Sequence, residues 1–321
     1  MNEPSLWPFV LDRLSRDRPV ALLVVAAAEG ETPGKPGFKM AVGGDGALCG
    51  SIGGGAIEHD MVEVARDRLR RADALPSIHR LAHRPGRPDS SGMICGGTQV
   101  VLLYACRAGD RPAVEGLCRA SGSPFPGRLR ITPGGLSLQV ETTAPGALFR
   151  QVSPGEWLYE EAVGPVGTVY IAGGGHVCLA LSRILATLGL RIVVLDDRPD
   201  VDTLRQNPFA DEKLIIPFDE VGRHVPEGDA SYALIMTPSH RADEAVLRQL
   251  APKRLGYLGL MGSATKVRQI FGRMRAAGFS DEVLGRVHAP VGLPIHSHTP
   301  AEIAVSIAAE IIQVRNAPAG G

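Results

Sequence analysis

The stretch TVYIAGGGHVCLALSRILATLGLRIVVLDDRP (168–199) decides the architecture of half the chain. TVYIA (168–172) is a short apolar run bounded by glycines and reads as a buried strand. HVCLALSRILATLG (176–189) has the spacing of a helix closed by Gly189, and RIVVLDD (191–197) reads as a second buried strand. Working outward, LII (214–216), YALIMT (232–237) and GYLGLM (256–261) are further strands, with helices near 240–250 and 263–277. Strands alternating with helices imply right-handed crossovers and a parallel sheet covered on both faces. The last helix is marked by a capping box, with Thr299 as N-cap, Pro300 at N1 and Glu302 at N3. Ile303, Ile307, Ile311 and Val314 line its apolar face.

The turn between the first strand and helix has the context of a dinucleotide fingerprint. Gly173 and Gly175 take the first two glycine positions, and Cys178 stands at the third. Such glycines let backbone approach a pyrophosphate at a helix N-terminus. Asp196 ends the next strand, where an acid accepts from a ribose hydroxyl, while Arg198 nearby suits a 2′-phosphate instead. The same turn also serves plain helix–sheet packing with no nucleotide, so the residues leave these alternatives open. His176 is placed either to contact a phosphate or to cap the helix. Thr237-Pro-Ser-His240 ends a strand on the ligand-binding side of such sheets, and Ser239 there is equally a helix cap.

The first half has a different texture. Pro4–Arg16 is helix-like, Val20–Ala27 is β-rich, and Ala56–Ala72 is helical, with Ile57, Met61, Val64, Ala65 and Leu69 recurring on one face. Three glycine-rich loops punctuate it: GETPGKPGFKM (30–40), GSIGGGAIE (50–58) and SSGMICGG (90–97), the last preceding the strand-like QVVLLYA (99–105). Glycine loses more conformational freedom on folding than any other residue, so three such loops in one small domain exceed what packing asks for. Consecutive N–H groups at Gly53, Gly54 and Gly55 form an anion-binding concavity before a helix, and Lys35 and Lys39 are placed to add charge. Residues 107–165 carry a helix near 111–120 and short strands joined by turns such as TPGG (132–135), with no recognisable chemistry. The expected organisation is an α+β domain over 1–160 followed by a Rossmann-like doubly wound domain over 161–321.

The 321 residues divide into about two domains at ordinary domain size. Lys+Arg 34 against Asp+Glu 34 gives no net charge, which argues against wholesale binding of nucleic acid or an anionic membrane. No apolar run approaches the roughly 18 residues of a membrane span, and the N-terminal stretch lacks the order of a secretory signal. Cysteines 49, 95, 106, 118 and 178 form no CxxC pair, so free thiols in the cytoplasm are expected. Cys95 differs from the other four by standing among glycines in a loop, a setting that favours a thiolate able to ligate a soft metal or carry sulfur. Seven arginines between 66 and 87 steer an anion or an acidic partner, or simply line a solvated helix. His296 and His298 form an HxH pair that on a strand would share a face, with no convincing third metal ligand nearby.

Taken together, TPGKPGFKM, GSIGGGAIE, the CGG loop, AGGGHV with DDRP, GLMGSATK and VGLPIHSHTPAEIAVSIAAEII resemble the XdhC/CoxI family, accessory proteins of xanthine dehydrogenase and related molybdenum hydroxylases. The resemblance spans roughly 20–105 and 166–315. It implies a protein that binds molybdenum cofactor, as molybdopterin or its dinucleotide, guards it during sulfuration and delivers it to the apo-hydroxylase. A cysteine desulfurase is the implied second partner, a homodimer stays open, and no turnover of the protein's own is expected. By matching position it implies cofactor contacts at Gly34, Lys39, Met40, Gly53, Gly54, Gly55, Glu58 and Cys95, with Lys35 and Gly96 beside them. A further set follows at Gly173, Gly175, His176 and Asp196. The expected pose lies between the domains with the metal end toward Cys95. His296 and His298 depart from the family's final motif. The rival expectation is an NAD(P)-dependent oxidoreductase built on the Rossmann-like domain.

Overall fold

The computed structural model describes residues 6–71, 75–83, 96–120, 127–140 and 147–317, in two compact units, Met1–Gly164 and Pro165–Gly321.

In the first unit, α1 (Leu6–Ser15) precedes β1 (Val20–Gly30), β2 (Lys39–Gly43) and β3 (Leu48–Gly50). Then come α2 (Gly55–Arg70), β4 (Ser77–His83), β5 (Gly97–Ala105) and α3 (Arg111–Ala120). A hairpin-rich end follows, with β6 (Gly127–Thr132), β7 (Gly135–Val140), β8 (Leu148–Ser153) and β9 (Glu156–Val163). The strands form two sheets, in the orders β3-β2-β1-β5-β4 and β7-β6-β9-β8, antiparallel throughout. β1 explains the layering. Its VALLVVAAA run does not alternate with polar residues because both faces are covered. Val20, Leu22 and Val24 face a core shared with α1, α3 and the second sheet, while Ala21, Leu23 and Val25 face α2 through Met61, Val62 and Ala65.

The second unit holds a five-stranded parallel sheet in the order β12-β11-β10-β13-β14. Its strands are β10 (Thr168–Ala172), β11 (Arg191–Asp196), β12 (Glu212–Ile215), β13 (Gly228–Ile235) and β14 (Leu255–Leu260). Helix α4 (His176–Thr187) and the last helix, α10 (Pro300–Arg315), cover one face. The other face is covered by α7 (His240–Leu250) and α8 (Ala264–Ala276). Three short helices, α5 (Asp202–Arg205), α6 (Val221–His224) and α9 (Asp281–Gly285), complete the crossovers. The doubly wound sheet and the capping box at Thr299 and Glu302 are as the sequence predicts. Among the described residues no helix is long and apolar enough to cross a membrane.

Candidate functional site

Three glycine segments of the first unit converge at one end of β1. Its last residue, Gly30, pairs with Gly97, and a Cβ on Gly30 would lie 2.8 Å from the Gly96 carbonyl oxygen. The loop leaving β1 then crosses the loop that leads from β3 into α2. A Cβ on Gly34 would lie 2.0 Å from the Ile52 carbonyl oxygen, and one on Gly53 would lie 2.5 Å from the Gly34 nitrogen. The crossing is therefore backbone on backbone, closer than any side chain permits. Gly53 (φ 125°), Gly54 (φ 77°) and Gly55 (φ 76°) all occupy the left-handed region that favours glycine. The buried Gln99 side chain braces the crossing by donating to the Ile52 carbonyl at 2.9 Å, and the Thr32 hydroxyl donates to the Gly34 carbonyl at 2.8 Å. Gly54 and Gly96 are different: among the described residues a Cβ at either meets no atom within 4 Å. Cys95, the expected thiol, lies outside the described residues.

Two charged groups of these loops, Glu58 and Lys39, are already committed. Glu58, in the first turns of α2, folds back so that Oε2 accepts from the Ser51 hydroxyl (2.7 Å), the Ile52 N–H (2.8 Å) and the Gly54 N–H (3.0 Å). The carboxylate thus sits where a free anion would bind a helix N-terminus. Lys39 is a correction to the sequence reading, which offers its charge to a bound anion. Its side chain is 2% exposed, its ammonium lies 2.6 Å from Glu161, and it donates to the Gly37 carbonyl at 2.7 Å. Tyr159 donates to the same Glu161 at 2.6 Å. Burial and the Glu161 charge raise the Tyr159 pKa far above the ordinary phenol value. Met40 points into the α2-side core, whereas Lys35 is exposed at the loop surface.

In the second unit, Gly173 (φ 113°) brings its backbone against β13, where a Cβ would lie 2.3 Å from the Met236 carbonyl oxygen. Gly175 is the N-cap of α4, a Cβ there meeting no atom of the described residues within 4 Å, and His176 is exposed at the helix start. Asp196 is fully buried and occupied. Its two oxygens accept four hydrogen bonds, from the Gly174 N–H at 2.7 Å and from the Arg198 backbone, Nε and Nη2 at 2.9–3.0 Å. A role for Asp196 as ribose acceptor, and for Arg198 as phosphate ligand, requires breaking these bonds. Burial by itself raises the Asp196 pKa, but the Arg198 and Gly174 donors outweigh it and hold the carboxyl below its usual value. A depressed folded-state pKa contributes stability that is present above the unfolded value and lost as pH falls through the folded one. The stability advantage of the wild type over Asp196→Asn should therefore be constant near neutrality and shrink below about pH 4. Urea unfolding of both proteins across pH 3–7 checks this.

Sequence reasoning missed two buried ion pairs. Glu161 lies 122 positions from Lys39, and Asp243 pairs with Lys266 at the C-terminal ends of β13 and β14. Asp243 accepts from the Thr237 N–H (3.0 Å) and hydroxyl (2.7 Å), and Lys266 donates to the Met261 carbonyl at 3.0 Å. Thr237 is thereby spent on structure, and Ser239 caps α7 by accepting from the Ala242 N–H at 3.1 Å. A pocket of about 330 Å³ lies at the ends of β11 and β12, lined by Asp197 and residues 215–219. Cys178 is a core thiol whose pKa burial pushes up to about 12, so it behaves as a small hydrophobe. His296 lies in irregular backbone with a left-handed φ of 57° and not on a strand. Among the described residues no group of three or more His, Cys, Asp or Glu is placed to hold a metal. The basic run is partly tied down: Arg66 to Glu63 and the Gly46 carbonyl, Arg71 to Asp67, and Arg80 to Gln151. Arg84 and Arg87 lie outside the described residues.

Comparison with known proteins matches residues 169–311 to the XdhC Rossmann domain and residues 13–79 to the XdhC and CoxI family. The uncharacterized protein YqeB of Escherichia coli K12 is 26% identical over 306 residues, covering 94% of this chain but 45% of YqeB, so this chain spans under half the length of that relative. A probable xanthine dehydrogenase subunit from Bacillus subtilis 168 is 24% identical over 330 residues, covering 95% of this chain and 96% of the relative. The crystal structure of a xanthine dehydrogenase from Bacillus halodurans shares the fold with a TM-score of 0.72 at 23% identity, covering 98% of both chains.

Proposed function

The chain belongs to the XdhC/CoxI family, and from that premise we propose that it is an accessory protein of a molybdenum hydroxylase of the xanthine dehydrogenase type. It takes up molybdenum cofactor as cargo, shields it while a cysteine desulfurase supplies the sulfur of its sulfido ligand, and hands it to the apo-enzyme. The observation that carries this reading is the convergence of the three glycine segments at the end of β1. Gly34 and Gly53 are consumed by the loop crossing, but Gly54 and Gly96 keep an open side, which fits a cradle for a flat heterocycle that backbone can approach closely. Glu58 and Gln99 supply fixed polar atoms around it.

Delivered cargo supplies the molybdenum centre on which the recipient enzyme hydroxylates its substrate. The residues of this chain bind and orient it, with Cys95, next to the open Gly96, assigned to the metal end because a thiolate suits a soft metal. The dinucleotide-enzyme alternative is disfavoured, because the acid it requires is saturated by Gly174 and Arg198. Replacing Cys95 with alanine should reduce the molybdenum retained per chain at least tenfold and reduce transfer to apo-xanthine dehydrogenase in parallel. Metal analysis of both proteins from one molybdenum-replete host decides it. Retention equal to wild type removes Cys95 from the proposal.

A further inference from the structure

Resting on the reading that these loops hold a pterin-bearing cargo, we infer that Glu58 determines which part of it they accept: the neutral, N–H-bearing edge of the ring system and not a phosphate. The turn through Gly53, Gly54 and Gly55 at the start of α2 has the geometry of a phosphate cradle. Its Gly53 and Gly54 donors, however, are in use. Oε2 of Glu58 takes the Ile52 and Gly54 N–H groups and the Ser51 hydroxyl, and the Ser51 hydroxyl in turn accepts from the Gly53 N–H at 3.1 Å. The protein has placed its own anion in the cradle.

Lys39 supplies no counter-charge to the turn, because its neighbour Met40 faces α2 and Lys39 faces the other side of β2. Lys39, the buried cation of the crossing loops, is neutralised by Glu161 at 2.6 Å, with both side chains under a tenth exposed. A phosphate entering the turn therefore meets the fixed like charge of Glu58. A neutral amino-pyrimidinone ring meets the opposite situation. Oε1 of Glu58 accepts from no donor among the described residues, and three hydrogen bonds through Oε2 hold the carboxylate in orientation. An amine or ring N–H donating to Oε1 forms a charge-assisted bond, stronger than a neutral one. The open side of Gly54 leaves room for the ring to approach. Glu58 is thus a specificity-determining residue, selecting donors over anions.

The test uses the full chain with two probes, the fluorescent pterin neopterin and inorganic pyrophosphate, titrated against wild type, Glu58→Gln and Glu58→Ala. The wild type should quench neopterin fluorescence saturably and show no saturable pyrophosphate binding by calorimetry at millimolar concentration. Glu58→Gln, which keeps one carbonyl acceptor for the loop, should weaken neopterin about tenfold, and Glu58→Ala should gain pyrophosphate binding at the vacated N–H groups. The inference is overturned if the wild type binds pyrophosphate as tightly as neopterin, if it binds neither, or if Glu58→Gln leaves neopterin affinity unchanged. The wild-type comparison stands even where a variant misfolds. Molybdenum and pterin carried from the host separate the two levels. A chain that carries them yet fails these titrations keeps its accessory role and loses the role given to Glu58, whereas a chain that carries none loses the accessory role.

Discussion

Gly53→Ala should melt roughly 6–12 °C below the wild type, because the substitution costs about 3 kcal/mol in a unit of this size. Two effects add. At φ 125° an L side chain strains the backbone, and the new Cβ would stand 2.5 Å from the Gly34 nitrogen and 2.9 Å from its Cα. Backbone lies on both sides of that contact, so no flexible side chain can swing aside, and one loop must move off the other. Gly54→Ala is the internal control. It carries a positive φ of 77° but meets no atom of the described residues within 4 Å, so it should lose only about 1 kcal/mol from the strained backbone. Thermal unfolding followed by circular dichroism orders the three proteins. Equal melting of Gly53→Ala and Gly54→Ala would show that the crossing is looser than described.

Lys39→Met should destabilise the chain by about 3–5 kcal/mol, the loss expected when one partner of a buried ion pair is removed and the other stays charged. Glu161 would be left under a tenth exposed with, among the described residues, only the Tyr159 hydroxyl as a donor. The loop would also lose the bond from Lys39 to the Gly37 carbonyl. The double variant Lys39→Met/Glu161→Gln should recover at least half of that loss. It removes the orphaned charge while an amide oxygen still accepts from Tyr159. Urea unfolding midpoints of the single and double variants measure the coupling. Additive losses would mean that the two side chains act independently and that the pair does not anchor the loop.

What could be read from residues alone follows from which interactions are local. The turn at Gly173, the helix stop at Gly189 and the capping box at Thr299 each announce themselves within a few positions, and the doubly wound unit follows from them. The glycine loops are equally visible, and they do converge, because the first and third border β1 and its partner β5 while the second leaves β3, which pairs with β2 beside β1. Charge placement is not legible. Nothing near Lys39 indicates that its counter-ion is Glu161 on β9, brought there by the packing of a second sheet. Lys39 therefore reads as a free cation. Asp196 misleads for a related reason. An acid at the end of the second strand is the pattern of a ribose acceptor, yet Arg198 two residues later closes on it from the same turn. Glu58 stands out in the sequence only by position; that its carboxylate turns back onto the N–H groups of its own helix entrance is a matter of side-chain conformation.

That this chain carries molybdenum cofactor is tested most directly by its content when isolated. Purified anaerobically as the full chain from a molybdenum-replete host, it should hold molybdenum and pterin in nearly equal amounts, approaching one of each per chain. A chain that emerges free of both, from cells whose own molybdenum hydroxylases are fully loaded, would contradict the account.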